Sequence, residues 1–293
     1  MGPLPAELKE RFQQDGFVVV PNLVEGTLLD RVTPAIDAAV SRRTRALRPP
    51  AERSRYEQSF LQCINLWEDT PEVRSLTFHR AVAETAAWLL DAPALRLWHD
   101  QALYKEAGGR ETDAHQDQPY WPMTEADTVT AWVPLVDVDE ELGCMGYVPG
   151  SHRVGLRKFV NIFLGQPYDI LNDPALGRTP PIFVPVRRGS VAFHHGLTVH
   201  LAKANRSDRI RRVHTIIFFR DGSTRAHAGP HPSVDRGQIG VGAPIASDAT
   251  PIVFPRPPGD FPPLPARPVD PNYIGRHVWP EARTANVAQT KEV

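Results

Sequence analysis

The chain has 293 residues, of which 41% are hydrophobic and 23% charged, and its formal net charge at pH 7 is −1. These values are ordinary for a soluble globular protein, and the near-neutral charge excludes the global positive field expected of a nucleic-acid or anionic-membrane binder. Cys63 and Cys144 are too few for a disulfide scaffold, and no window reaches the ~18 apolar residues of a membrane span. We expect a cytoplasmic protein, a monomer or homodimer, whose partner is a small molecule and neither nucleic acid nor membrane.

The first third of the chain is predicted to be mostly helical. Residues 6–14 indicate a short helix, and residues 16–24 (GFVVVPNLV) follow as a β-branched strand that ends in a proline turn. Apolar residues recur at three- and four-residue spacing from Leu28 to Val40, which is typical of an amphipathic helix. The segment TPEVRSLTFHRAVAETAAWLLDA predicts one or two further helices that end near Ala92.

From about Leu95 the pattern changes to short β segments separated by Gly, Pro, Asp and Asn. The segments are LRLWHDQALYK, TVTAWVPLVDV, MGYVPG, IFVPV, GSVAFHH and RRVHTIIFFR. Short strands with turn residues between them favour a jelly roll or barrel over βαβ units. The sequence therefore predicts a mostly β protein with flanking helices.

The C-terminal part is rich in proline, with thirteen of the thirty prolines between Pro230 and Pro280. This composition excludes a regular helix or central strand. Six apolar side chains nevertheless favour an ordered segment that wraps the surface: Ile252, Phe254, Phe261, Tyr273, Ile274 and Trp279. We predict one domain over residues 1–293, with a largely helical part at 1–94, a jelly-roll core at 95–221 and a Pro-rich wrap at 222–293.

The stretch DAHQDQPYW places His115 and Asp117 two residues apart. On a β-strand these side chains share a face, so an imidazole and a carboxylate lie side by side and can hold a metal. The segment GSVAFHHGLTVHLAKANRSDRIRRV adds His200 after a predicted strand and Arg211 at the start of the next. Two histidines and one carboxylate, with three coordination positions left open, form the facial triad of non-haem Fe(II) oxygenases.

Less specific interpretations remain beside this one. His115 and Asp117 would also suit a structural hydrogen-bonded pair, and His194 and His195 are rival ligands to His200. By the parity of a strand, His214 lies on the face opposite Arg211, so we do not expect it to be a ligand. The basic cluster from Arg42 to Arg55 suits a solvated surface better than a site for an anionic substrate such as a coenzyme A thioester.

Four segments in this order resemble the phytanoyl-CoA dioxygenase-like family of Fe(II)/2-oxoglutarate oxygenases. They are DGFVVV, LYKEAGG leading into HQD, AWVPLVDVDEELGCMGYVPGSHRVG and HLAKANRSDRIR, and they span about residues 15–221. The resemblance implies a double-stranded β-helix, or cupin-like jelly roll, in which His115, Asp117 and His200 hold Fe(II). It also implies that Arg211 binds the far carboxylate of 2-oxoglutarate, and the planar guanidinium fork suits this role.

The same resemblance assigns further residues to the pocket. Gln101, Trp132 and Gln116 are expected to contact the cofactor. Tyr120 and Trp121 stand just past the metal motif in the sequence, and this position predicts that they lie at the substrate lip. One position departs from the family pattern: many members carry a hydroxyl residue two positions after the distal histidine, where this chain has Ala202. Thr130 or Ser207 is the candidate replacement.

The expected activity is hydroxylation of an unactivated C–H bond in a small organic molecule, with consumption of O2 and 2-oxoglutarate and release of succinate and CO2. The substrate would be acyl-CoA-like or a secondary metabolite. Desaturation, epimerisation and ring formation stay open, whereas halogenation is disfavoured because Asp117 fills the position that chloride would need. The alternative activity is that of a cupin-type metal-dependent hydrolase or isomerase, which would have no use for Arg211, and a non-catalytic binding module is the third interpretation.

Overall fold

The structure, a computed structural model, describes residues 4–163, 168–259 and 261–270. Its helices are α1 (Ala6–Asp15), α2 (Gly26–Thr44), α3 (Arg55–Ser59), α4 (Leu66–Asp69), α5 (Arg74–Thr77), α6 (Arg80–Leu89) and α7 (Pro232–Asp235). Its strands are β1 (Phe17–Val20), β2 (Leu61–Ile64), β3 (Leu95–Lys105), β4 (Thr112–His115), β5 (Thr128–Pro134), β6 (Met145–Tyr147), β7 (Ile182–Val184), β8 (Val191–His195), β9 (His200–Ala202), β10 (Arg211–Arg220) and β11 (Ile252–Phe254). Among the described helices, none combines the length and apolar character that crossing a membrane requires.

Two antiparallel sheets face each other. The major sheet has seven strands in the order β1-β8-β5-β10-β3-β11, with β2 also paired to β3, and the minor sheet has the order β4-β9-β6-β7. Trp132 and Val213 from the major sheet pack with Met145 and Tyr147 from the minor sheet in one apolar cluster. This arrangement confirms the predicted fold class, a jelly roll with a double-stranded β-helix core and flanking helices.

The helices cover the outer face of the major sheet. Leu29 and Ile36 of α2 belong to the same buried cluster as Leu97, Val129 and Phe193 of the sheet. Successive side chains of a strand point to opposite faces. The side chains that alternate with this outward set therefore point inward, toward the minor sheet. The apolar helix faces therefore fix which strand residues line the interior.

The first third of the chain supplies two strands of the major sheet as well as helices. The predicted strand near Gly16 is β1, which pairs with β8, while β2 pairs with β3 and was not predicted. Helices α1 and α2 begin and end within a few residues of the predicted bounds. With only four residues, β2 is too short to show a clear alternation of apolar and polar positions.

The described part of the C-terminal segment lies along the major sheet. Strand β11 pairs with the edge of β3, and Ser233 Oγ of α7 donates a hydrogen bond to the Trp98 carbonyl at 2.7 Å. The aromatic ring of Phe261 lies 6.1 Å from that of Phe78, centroid to centroid. Three of the apolar residues expected to pack in this wrap, Tyr273, Ile274 and Trp279, fall outside the described residues.

Candidate metal centre and active site

His115, Asp117 and His200 come together in the interior between the two sheets. Their candidate ligand atoms all lie within 4.8 Å of one another, the one such group of metal-ligating side chains in the described part of the chain. His115 ends β4 and is paired in register with His200, which begins β9, and Asp117 follows β4 by two residues. Oδ1 of Asp117 lies 3.7 Å from Nε2 of His115 and 3.5 Å from Nε2 of His200.

The backbone orients both imidazoles. Nδ1 of His115 donates to the Asp113 carbonyl at 2.8 Å, and Nδ1 of His200 donates to the Thr198 carbonyl at 2.9 Å. A neutral imidazole that carries its proton on Nδ1 keeps a lone pair on Nε2. Each ring therefore presents its ligating nitrogen to the space beside Asp117, the arrangement usual for metal-binding histidines.

The carboxylate of Asp117 is held by its other oxygen. Oδ2 accepts hydrogen bonds from Thr130 Oγ1 and from His194 Nε2, each at 3.2 Å, and these two residues are direct cross-strand partners on β5 and β8. Oδ1 stays directed toward the two imidazoles. Thr130 and His194 thus orient Asp117 so that one carboxylate oxygen faces the imidazoles. The sequence did not reveal this role, because it depends on the pairing of β5 with β8.

The rival ligands have other positions. His194 contacts Asp117 and is not part of the metal-ligating group, and His195 accepts a hydrogen bond from the Leu197 amide through Nδ1. His214 lies on the opposite face of β10, where its Nε2 is 3.2 Å from Thr77 Oγ1, as strand parity predicts.

Burial sets the protonation states that a metal requires. It lowers the pKa of His200 to about 3 and also lowers the pKa of His115. Burial alone would raise the pKa of Asp117, but the neighbouring imidazoles of His200 and His194 hold it below its usual value. At neutral pH the group is two neutral imidazoles and one carboxylate, so no proton has to be displaced before a divalent cation binds. The donor set fits Fe(II).

Arg211 occupies the far end of the same cavity and is 2% exposed. Its Nη1 donates to the Gly143 carbonyl at 2.6 Å, its guanidinium carbon lies 5.8 Å from the Trp132 ring, and it forms no ion pair with any carboxylate that the structure describes. Burial lowers the pKa of Arg211 to about 10, so it remains charged at neutral pH. Because a buried charge without a counter-charge is costly, this end of the cavity fits an anionic ligand such as the far carboxylate of 2-oxoglutarate.

Three polar side chains lie between Arg211 and the metal-ligating group. Thr215 of β10 is paired with Gln101 of β3 on one side and with Trp132 of β5 on the other, and all three line the cavity. Trp132 Nε1 and Thr215 Oγ1 are buried and have no hydrogen-bond partner among the described groups. Gln101 Oε1 accepts from Gln62 Nε2 at 2.5 Å. The positions of Gln101 and Trp132 fit the predicted pocket, and Thr215 is an addition to it.

Two of the sequence-based candidates, Gln116 and Ser207, form hydrogen bonds within loops and do not line the cavity. Gln116 is not among the cavity-lining residues: its Nε2 donates to the Gly155 and Leu197 carbonyls and its Oε1 accepts from the Arg157 amide. In the structure the side-chain amide of Gln116 joins loops beside the cavity, and its cofactor contact stays a prediction. Ser207 donates to Asn205 Oδ1 at 2.7 Å and also lies outside the cavity lining, so it does not replace the hydroxyl missing at Ala202.

The cavity contains about 970 Å³ of space not filled by protein atoms, a volume that includes open solvent at its mouth. Tyr120 and Trp121 line it, each 7% exposed, so they form a wall and not an open lip. Other aromatic lining residues include Tyr56, Phe60 and Phe163. The cavity lining is thus rich in aromatic side chains.

The sequence profile described as "Phytanoyl-CoA dioxygenase (PhyH)" matches residues 12–213. The chain belongs to the phytanoyl-CoA dioxygenase family. A relative described as phytanoyl-CoA dioxygenase domain-containing protein 1 homolog, from Caenorhabditis briggsae, is 22% identical over 72% of this chain and 89% of its own length. A probable alpha-ketoglutarate-dependent hypophosphite dioxygenase from Stutzerimonas stutzeri is 28% identical over 55% of this chain and 56% of its own length.

Two solved structures from nogalamycin biosynthesis are also similar. The non-haem alpha-ketoglutarate-dependent carbocyclase SnoK is 29% identical with a TM-score of 0.73, covering 86% of this chain and 97% of that one. The epimerase SnoN, solved in complex with Fe3+, alpha-ketoglutarate and nogalamycin RO, is 26% identical with a TM-score of 0.69, covering 85% of this chain and 98% of that one. The predicted family, fold class and enzyme class, a non-haem Fe(II)/2-oxoglutarate-dependent dioxygenase, are confirmed.

Proposed function

We propose that the protein uses Fe(II), 2-oxoglutarate and O2 to hydroxylate an unactivated C–H bond of a neutral small organic molecule, releasing succinate and CO2. One observation carries this proposal: a single cavity holds the group of His115, Asp117 and His200 and, at one end, the buried and uncompensated cation of Arg211. A cupin-type hydrolase or isomerase would need the first feature but not the second.

The chain's own side chains bind and orient the reactants. His115, Asp117 and His200 would hold Fe(II), since two imidazoles and one carboxylate are a donor set that suits this metal. Fe(II) and 2-oxoglutarate, when bound, supply the oxidising power for breaking the C–H bond. Arg211 fixes the far carboxylate of 2-oxoglutarate by its two-pronged fork, and Trp132 forms a flat wall beside it.

The family pattern has a hydroxyl residue at the position of Ala202, and we assign the role of that hydroxyl to Thr112. It is paired with Ala202 across β4 and β9, and both residues line the cavity together with Arg211. Nζ of the buried Lys105 lies 3.4 Å from Thr112 Oγ1 and also donates to the Arg110 carbonyl. A hydroxyl oxygen that accepts from Lys105 keeps its own proton to donate to a carboxylate held by Arg211.

The charges of the site favour a neutral substrate over a coenzyme A thioester. Arg211 is the one Lys or Arg among the described cavity-lining residues, and we assign it to 2-oxoglutarate. The basic cluster is occupied by protein carboxylates: Arg53 pairs with Glu106, and Arg55 pairs with Asp113. Within the same cluster Arg43 is buried and pairs with Asp69, which corrects its expected place on a solvated surface.

Ring closure is a second candidate, favoured by the similarity to the carbocyclase SnoK over nearly all of that chain. It would start from the same C–H bond and would need the same cavity. The product distinguishes the two reactions: hydroxylation adds one oxygen atom to the substrate, whereas ring closure removes two hydrogen atoms.

The test is substrate-dependent release of succinate. Protein loaded with Fe(II) is incubated with 2-oxoglutarate, O2 and a panel of acyl thioesters, amino-acid derivatives, and terpenoid and polyketide intermediates, and succinate and product masses are measured. We expect a neutral, ring-bearing compound to stimulate succinate release, and the His200→Ala variant to release none. Conversion of substrate without 2-oxoglutarate, or stimulation by acyl thioesters alone, would contradict the proposal.

A further inference from the structure

A chain of hydrogen bonds runs along the cavity wall from the N-terminal part of the protein to Gln101. The hydroxyl of Tyr56 donates to Gln62 Oε1, and Gln62 Nε2 donates to Gln101 Oε1, each at 2.5 Å. All three side chains line the cavity. Tyr56 belongs to α3, Gln62 to β2 and Gln101 to β3, so the hydrogen bonds join three elements at one wall.

Strand register brings the two glutamines together. In the antiparallel pair of β2 and β3, Gln62 lies opposite Leu103 and Ile64 lies opposite Gln101. Gln62 and Gln101 are therefore diagonal neighbours on one face of the sheet, close enough for long side chains to meet. That face is the inward one, because all four residues line the cavity.

The phenol at the start of these hydrogen bonds is held in place. Tyr56 is buried, and its ring lies 4.8 Å from that of Phe60, centroid to centroid, at an interplanar angle of 69°. Helix α3, which carries Tyr56, begins with a capping box formed by Ser54 and Glu57. The hydroxyl of Tyr56 is thus already in position when a ligand enters the cavity.

The direction of the hydrogen bonds decides which end of the Gln101 amide is left for a ligand. A glutamine amide has an acceptor oxygen and a donor nitrogen, and the torsion that exchanges them is broad. The Tyr56 hydroxyl engages the oxygen of Gln62, which turns Gln62 Nε2 toward Gln101 Oε1. The nitrogen of Gln101 is left to donate. A donor suits the anionic oxygens of 2-oxoglutarate, whereas a carbonyl oxygen would repel them.

We infer that Tyr56 and Gln62 are positioning residues, which hold the amide of Gln101 with its nitrogen available to 2-oxoglutarate. The inference rests on the proposed function, in which 2-oxoglutarate occupies this cavity. An amide that is fixed before binding loses less conformational entropy when it donates to the ligand, so the affinity is higher. Helix α3 and strand β2 of the N-terminal part thus contribute to cofactor binding through Gln101.

The test is a double-mutant cycle on the affinity for 2-oxoglutarate, which is titrated into the anaerobic Fe(II) protein and followed by its metal-to-ligand absorption. Gln101→Met should weaken binding about tenfold, the loss expected for one hydrogen bond to a charged group. Gln62→Met keeps the length of the side chain and removes the amide, and it should weaken binding about threefold with unchanged iron content. In the Gln101→Met background, Gln62→Met should cause no further loss, because it acts only through the amide of Gln101.

Two further variants keep the test decisive. Gln58→Met makes the same substitution on α3, where Gln58 Nε2 donates to the Arg53 carbonyl outside the cavity lining, and should bind as wild type. Tyr56→Phe should cause a smaller loss than Gln62→Met, and this loss should also vanish in the Gln101→Met background. Unchanged affinity in Gln62→Met, or an equal loss in both backgrounds, would overturn the inference. Coupling between the two glutamines without succinate release from any compound would instead remove the proposed function and leave the inference in place.

Discussion

Two neighbouring arginines on β10 have opposite surroundings. Arg211 is buried inside the cavity without a carboxylate partner in the described part of the chain, whereas Arg212 is turned outward and pairs with Asp37 at 2.9 Å. Their side chains alternate across the strand, so the arginine that we propose to bind 2-oxoglutarate is followed directly by one that forms a surface ion pair. Substitution of Arg212 is therefore a matched control for substitution of Arg211.

We predict that Arg211→Ala weakens 2-oxoglutarate binding by tenfold to a hundredfold, because a charge-assisted hydrogen bond contributes roughly 1.5–3 kcal/mol. Arg211→Lys should be intermediate, since it keeps the charge and loses the fork. Titration of 2-oxoglutarate into anaerobic Fe(II) protein, followed by its metal-to-ligand absorption, measures the affinity. Iron content should not change, and Arg212→Ala should stay within a few-fold of wild type. A larger loss in Arg212→Ala would refute the assignment.

At the scale of strands, the sequence predicted the long elements best. LRLWHDQALYK coincides with β3 and RRVHTIIFFR with β10, because ten or more residues give a clear pattern. The four-residue β4 and the three-residue β9 carry the metal-ligating histidines but are too short to show one. The ligand triad was recognisable from motif order, whereas the support of Asp117 by Thr130 and His194 was not, because cross-strand register is absent from a linear sequence.

The pairing of β4 with β9 gives the second residue-level test of the cofactor site. We predict that Thr112→Val weakens 2-oxoglutarate binding about tenfold, because it removes a hydroxyl from the cavity that Arg211 also lines and keeps the shape and the β-branched side chain. Ser207→Ala is the control, since Ser207 contacts Asn205 and not the cavity. Iron content measured in parallel should be unchanged in both. Unaltered affinity in Thr112→Val, or an equal loss in Ser207→Ala, would exclude Thr112 as the replacement for the missing hydroxyl.

At the scale of the whole molecule, a buried ion pair joins the C-terminal segment to the N-terminal helices. Arg236, just after α7, contacts both carboxylate oxygens of Glu68 of α4 at 2.8 Å, and the Glu68 side chain is 2% exposed. The Val269 amide donates to the same carboxylate at 2.9 Å. Since α7 directly follows His231, which lines the cavity, this pair holds in place the segment that completes the cavity.

We predict that Arg236→Met lowers the free energy of unfolding by about 3–5 kcal/mol, the usual result of leaving one buried charge unpaired. The double variant Glu68→Met/Arg236→Met should recover most of this loss, because no uncompensated charge remains. Arg80→Ala, which breaks the exposed pair with Glu84, should leave the free energy of unfolding close to that of wild type. Urea unfolding followed by tryptophan fluorescence measures all three.

The pH dependence of the Arg236→Met variant tests the same explanation independently. Burial already raises the pKa of Glu68, and loss of Arg236 removes the charge that opposes this rise, so the pKa in the folded variant should be higher still. A carboxyl whose pKa is raised on folding costs stability as the pH rises from its unfolded-state pKa to the raised pKa, because its charged form is disfavoured in the folded state. The difference in unfolding free energy between wild type and Arg236→Met should therefore be largest at pH 8 and shrink as the pH falls. A pH-independent difference, together with an equal loss in the double variant, would mean that Arg236 acts through packing and not through its charge.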